Sequence, residues 1–380
     1  MKKMFCIILI LFVFLESAGC SKGISSPESI LKKFDIDNAT KTVNSYMNDI
    51  MKKDISAASK LYASEFKKIS SEKDEQNLIV NGYRFDEITQ SGDVGIIKVK
   101  VSKINNKMPY DSLETETFKV VKEKNMYKIK SIDIENEKEI FVGETKNTQI
   151  RIRSKNNIKT NLLTNFDGMP KYYYVQEDKA RNNKIPISIG EYGMIGISFD
   201  GSSGFVTTKG KNPYIEVINF DESMMTQGSS PGSTSGSGSD AGGTGGQSQE
   251  EEMKSETPIG KELVPLEVIP DAIIENAIYS QDNRNLVVQL TKNNLGSTLK
   301  IYKCKDGEEV SFNFEKNYPM EKVDVKIINF VRKGLIYQVV PRAAYINDKS
   351  IKNIIGVWQI DPASTKPKII LDESKANTSN

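Results

Sequence analysis

Apolar residues recur along this chain at three different spacings, and each spacing predicts a different kind of element. Met4–Leu15 is one unbroken apolar run behind Met1-Lys2-Lys3, too short for the ~20 residues a helix needs to cross a bilayer. From Ala39 the apolar positions Ala39, Val43, Tyr46, Met47, Ile50 and Met51 lie three or four apart, which predicts a helix with one buried stripe. Asp37 or Asn38 can cap its start, and Lys52-Lys53 suits its end, where cations oppose the helix dipole. Asp54 can cap a second helix carrying Ile55, Ala58, Leu61, Tyr62 and Phe66. Past the polar stretch Ser70–Gln76 the pattern shifts to alternation and short apolar runs. It predicts strands at Ile79–Ile88, Gly95–Val101, Glu114–Val121 and Met126–Ile134, with hairpin turns at Ser91-Gly92-Asp93 and Glu123-Lys124-Asn125.

Further strands are predicted through Phe220, and residues 227–258 then turn to glycine and serine. That composition buries too little apolar surface to fold and is expected to form a flexible linker. On either side of it a unit of strand, tight turn, strand, loop and strand recurs, with Gly201, Asn283 and Gly334 at the turns. With the linker set aside the spacing is about 50 residues. Asp200 and Asp282 fall where hairpins use aspartate for a local hydrogen bond, which is favoured over acid-base or calcium roles. Lys184–Asp372 therefore resembles blades of a β-propeller of the tryptophan-aspartate-repeat kind, with Trp358 as its one tryptophan. Three units are visible, and a degenerate fourth would begin at Asn165-Phe166-Asp167-Gly168. Closed rings use four to eight, so a partial propeller and a β-sandwich both stay open.

The order helix, helix and four strands across residues 37–138 resembles the nuclear transport factor 2-like fold, or cystatin-like cone. The resemblance implies a curved sheet closed by helices, with Tyr83, Asp86, Tyr110 and Tyr127 as candidates to line its cavity. None of the four matches a catalytic motif, and a sheet tyrosine more often packs its ring in the core. The expected fold class is an α+β cone domain followed by a mostly-β domain, interrupted by the Gly/Ser-rich linker. The expected divisions are a signal peptide at 1–19, a tether at 20–36, the cone at 37–138, a β-rich region at 139–226, the linker at 227–258, a repeat-bearing β-rich domain at 259–373 and a tail at 374–380.

Composition narrows the chemistry. The chain has 380 residues, with 52 basic against 50 acidic side chains interspersed along it, so no basic footprint for nucleic acid is expected. Histidine is absent, which removes imidazole acid-base catalysis and histidine zinc sites. Of the three cysteines, Cys6 lies in the apolar run, and Cys304 reads as a small structural hydrophobe. Cys20 follows Ser17-Ala18-Gly19, and together with the basic and apolar segments before it resembles the lipobox of bacterial lipoproteins. The resemblance implies that the Cys20 thiol is diacylated and becomes the new N-terminus. An ordinary signal peptide, cut nearby to release a soluble protein, stays open beside it.

No glycine-rich phosphate loop or metal-ligand cluster is present in the pattern, so no cofactor is expected. The resulting expectation is a non-catalytic binding or assembly module, held to the membrane by an N-terminal diacylglycerol on the extracytoplasmic face. Its partner would be an envelope protein, peptide or glycan. The alternatives are a small-molecule carrier using the cone cavity and a carboxylate-dependent glycan hydrolase.

Overall fold

The computed structural model describes residues 34–70, 78–105, 107–143, 148–155, 159–175, 178–221, 223, 256–364 and 366–371. The signal, Cys20 and most of the expected linker lie outside the described residues. Helix α1 (Ile36–Met51) buries Ala39, Val43, Tyr46 and Met47, the expected stripe, and Lys53 in a left-handed conformation (φ 61°) follows its end. Asp54 caps α2 (Ile55–Ser59) by accepting from the Ala57 amide at 2.9 Å.

The second helix is shorter than its stripe predicted. From Tyr62 the chain becomes strand β1 (Tyr62–Ser70), because the stripe's second half is taken up by a parallel pairing with β5 (Met126–Val142). That strand pairs along one edge with β4 (Tyr110–Glu123), and its other edge is shared by β1 and β6 (Gln149–Ser154). Strands β2 (Leu78–Ser91), β3 (Val94–Asn105) and β7 (Asn161–Asn165) complete a seven-stranded sheet in the order β2-β3-β4-β5-β6-β7. The expected boundary at 138/139 falls inside β5, and the sheet runs on to Asn165. Asn165-Phe166-Asp167-Gly168 is the turn that ends β7 rather than the start of a blade.

After the small ribbon of β8 (Tyr172–Tyr174) and β9 (Lys184–Pro186), the chain forms three successive antiparallel meanders. The first is β10 (Tyr192–Ile197), β11 (Ser203–Thr208), β12 (Tyr214–Phe220) and β13 (Gly260–Val268). The second is β14 (Ala272–Tyr279), β15 (Asn285–Lys292) and β16 (Ser297–Lys303). The third follows a short helix α3 (Phe314–Asn317) and comprises β17 (Val323–Val331), β18 (Gly334–Pro341), β19 (Gly356–Ile360) and β20 (Lys368–Leu371). The fold is mostly β and propeller-like, because each meander's leading strand, β10, β14 and β17, lies beside the next.

An open set of blades leaves those leading strands with unpaired backbone edges, which invite non-native pairing. Here the N-terminal unit covers them. Asp111 on β4 accepts the Ile197 amide of β10 at 2.6 Å, and Asn81 on β2 donates to the Ala277 carbonyl of β14 at 2.8 Å. Asn329 of β17 reaches Asn48 of α1 at 3.4 Å. Burial pushes the Asp111 carboxyl up to about 8, against hydrogen bonds from the Ile197 amide and the Ser102 hydroxyl that lower it. The apolar core is continuous across this junction, from Leu113, Ile140 and Leu163 in the sheet to Phe205, Val217 and Tyr279 in the first two meanders. A second core joins the second and third meanders around Phe314, Tyr318, Leu335 and Tyr337.

Candidate functional site

The first two meanders turn through the same six-residue device. Ser198-Phe199-Asp200-Gly201-Ser202-Ser203 links β10 to β11, and Ser280-Gln281-Asp282-Asn283-Arg284-Asn285 links β14 to β15. In each, the serine hydroxyl donates to the aspartate Oδ1 at 2.6 Å. That same oxygen accepts the amide two residues on, at 3.0 Å from Ser202 and 3.2 Å from Arg284. The fourth position is left-handed in both, Gly201 at φ 72° and Asn283 at φ 59°, a conformation glycine and asparagine adopt most readily. The aspartates are thus turn-formers, as their sequence positions predicted. Burial would raise the Asp200 carboxyl, but hydrogen bonds from Ser198 and Ser202 outweigh it and hold it below the usual carboxylate range.

Arg84 of β2 clasps both turns at equivalent points. Its guanidinium donates to the Phe199 carbonyl at 3.2 Å and the Gln281 carbonyl at 3.4 Å. The Asn283 side-chain oxygen accepts the Phe199 amide at 2.9 Å, tying one turn to the other, and Lys138 donates to the Gly201 carbonyl at 2.7 Å. The third meander turns at Val331-Arg332-Lys333-Gly334 without serine or aspartate, using Gly334 at φ 124°.

These three turns, with the segments after β16 and β19, surround an open cleft of about 1270 Å³. Its walls mix acids with bases, and Phe330, Val331, Val310 and Pro362 give it apolar patches. Cys304 lies in its lining, half-buried, with its thiol pushed up to about 12 by burial and by the Asp282 and Asp200 carboxylates. A thiol held protonated in this way is a poor nucleophile, in keeping with a packing role.

The four residues expected to share a cone cavity stand apart. Tyr83 is buried under α1, its hydroxyl 2.9 Å from the Asn44 and 3.0 Å from the Asn48 side-chain oxygens. Asp86 is exposed and 3.6 Å from Arg84, and Tyr127 lies under the Lys122 ammonium, 5.9 Å from its ring centre. Tyr110 alone of the four lines a described cavity, of about 710 Å³, between the β3–β4 connection and the first two meanders. Its lips carry the exposed Met108 and Ile273. The buried charges of the helix-covered sheet face are ones that the pattern did not single out. Lys103 lies between Glu114 and Glu116, at 2.5 and 2.9 Å. Alternation along β4 puts Glu114 and Glu116 on one face with Phe118, the ring that packs against Tyr46 of α1.

No known protein family matches the chain, and no curated protein is similar to it. Among solved structures it is similar to TolB from Acinetobacter baumannii, with a TM-score of 0.23 and 8% identity over 71% of this chain and 62% of that one. It is also similar to the tricorn protease, with a TM-score of 0.28 and 8% identity over 80% of this chain and 32% of that one. A third is the β-propeller domain of the Trilobed protease from Pyrococcus furiosus, with a TM-score of 0.21 and 9% identity over 80% of this chain and 99% of that one. The chain spans less than two thirds of the length of the first two. Its propeller-like character rests on its own three meanders and the turn repeated in the first two.

Proposed function

We propose that this chain is a lipid-anchored, extracytoplasmic binding or assembly module of a bacterial envelope, tethered through Cys20 and presenting the cleft at the meander turns to a partner. The single observation that carries the binding role is that cleft. It is open, larger than the ~300–1,000 Å³ of small-molecule pockets, and framed by segments of all three meanders, which share two apolar cores. The anchor rests on the basic, apolar and small-residue order of residues 1–20. Two acyl chains hold a protein at a membrane where one is marginal. The cone-like reading of residues 37–138 belongs to the same proposal, with the helix-covered sheet serving as the piece that closes the open blades.

The decisive test is metabolic labelling with a clickable fatty acid. The mature wild-type chain takes up label and partitions with membranes, whereas Cys20→Ala is unlabelled and stays unprocessed or escapes to the medium. A Cys20→Ala chain still cut and membrane-held would refute the anchor.

A second reading has its own observation. The cavity of about 710 Å³ beside Tyr110, with apolar Ile104, Met108, Met194 and Ile273 around it, has the size and lining of a small-molecule site, and favours a carrier role. Saturable uptake of an apolar fluorophore, lost in Met108→Glu, would support it.

A further inference from the structure

The small ribbon of β8 and β9 turns one face inward and one outward. Tyr173 and Ile185, paired across it, pack with the first core, and the Tyr173 hydroxyl donates to the Leu266 carbonyl at 3.0 Å. Alternation along the two strands then places Tyr172, Tyr174, Lys184 and Pro186 together on the other face. Tyr172 is 48% exposed there. Each ring has a cation over one face. The Lys184 ammonium lies 4.8 Å from the centre of Tyr172, and the Arg181 guanidinium 5.6 Å from that of Tyr174. Such contacts restrain rings that would otherwise turn freely in solvent, so the ribbon presents a prearranged aromatic platform.

This platform lines a pocket of about 490 Å³ that also holds Asp178, Lys179 and Asp306. Asp306 belongs to the wall of the larger cleft at the meander turns as well, so the two adjoin. Among the described residues, five carboxylates and five cations line that cleft, and two of each line the pocket. Such a balance favours neither an acidic nor a basic polymer. Charges of both signs throughout the walls are also unlike the centre of a protein interface, where charged residues are depleted. They suit a neutral ligand dense in hydroxyls, because a hydroxyl both donates to a carboxylate and accepts from an ammonium or guanidinium. The C–H faces of sugar rings in turn fit the electron-rich faces of tyrosines.

We infer that the pocket at the β8–β9 ribbon, with the adjoining cleft, binds a neutral glycan chain. Its sugar rings stack on Tyr172 and Tyr174, and its hydroxyls pair with Asp178, Lys179 and Asp306. This deepens the binding role proposed above and rests on it. The test uses the full-length chain and two neutral probes, chitohexaose and maltohexaose, read by isothermal titration calorimetry. At least one should bind with a Kd of about 1 mM or tighter, and its affinity should change less than twofold as salt is raised, since no net charge is neutralised. Tyr172→Ala/Tyr174→Ala should weaken binding at least tenfold, while Tyr172→Phe/Tyr174→Phe, which keeps the rings, should stay within threefold of wild type. An unchanged thermal midpoint would show the alanine variant folded; if it is not, the exposed Lys179→Ala should still weaken binding at least threefold. Failure of both probes to bind, indifference to the alanine pair, or a steep loss with salt would overturn the inference. Equally tight binding of a decaproline peptide, lost in the alanine variant, would overturn it too, while leaving the binding role standing. The fatty-acid label at Cys20 is read separately, so loss of glycan binding with labelling intact leaves the anchor standing.

Discussion

The first and third meanders share a topology and differ in what surrounds them. The first is built into one core with the N-terminal sheet, and its turn is fixed by an aspartate, two serines, the Arg84 clasp and Lys138. The third belongs to a separate core shared with the second, and its turn uses Gly334 in a left-handed conformation with no serine or aspartate, leaving Arg332 and Lys333 exposed. In the first turn, the aspartate and serines are used to hold the turn itself. In the third, the charged side chains stay exposed to solvent.

Substitutions that exchange these conditions should show the difference, and the largest effect is expected at the bare turn. A Cβ at Gly334 would lie 2.2 Å from the Ile360 carbonyl oxygen, in a left-handed backbone conformation. Gly334→Ala should therefore lose about 3 kcal/mol or more in denaturant unfolding.

The next effect lies in the docked meander. Glu216 is fully buried on β12 beside the Tyr214 side chain, and neither of its carboxyl oxygens is held by a well-formed hydrogen bond. Burial pushes it up to about 7, with Tyr214 opposing. Its folded value exceeds its unfolded one, so stability is full at low pH and declines as pH rises from the ordinary carboxylate range through about 7. The decline amounts to about 3 kcal/mol. Glu216→Gln should recover most of that at pH 8 and flatten this part of the pH profile, measured by urea unfolding at pH 4, 6 and 8.

Removing the clasp should act more weakly and selectively. Arg84→Met is expected to cost about 2 kcal/mol, and hydrogen exchange should rise at Phe199 and Asn283 while the Gly334 turn keeps its protection. The smallest change tests the repeat itself. Asn283 occupies the position equivalent to Gly201, so Gly201→Asn keeps the backbone conformation, and the new Cβ, 3.3 Å from Lys138 Nζ, should cost about 1 kcal/mol.

What was legible in the chain was local. The α1 stripe, the Asp54 cap and the left-handed positions Gly201, Asn283 and Gly334 all depend on residues within a turn of each other. The strand β1 stands where the pattern predicts helix because Tyr62 and Phe66, four apart, fit both periods, and the pairing that decides between them lies in β5, more than sixty positions on. The same distance hides Asp111, Arg84 and Asn81, whose partners belong to strands far along the sequence. The site residues fared likewise. A tyrosine on a strand announces an aromatic near a sheet, but which face it takes follows from bulges such as the one between Phe85 and Glu87. A signal for the cleft did exist, in Arg284 and Arg332 standing beside the recurring turn residues.

The first meander is completed by β13, whose ladder with β12 joins chain on either side of residues 224–255. Arg151 further holds Glu256, at 2.9 Å, just ahead of that strand. Connectivity between the two strands is thus supplied twice, by peptide bonds and by a zipper of backbone hydrogen bonds. A molecule severed anywhere between Ser223 and Glu256 should persist as a two-piece complex, and the halves expressed separately should reassemble, which makes this interval a natural place to split the protein or graft a reporter.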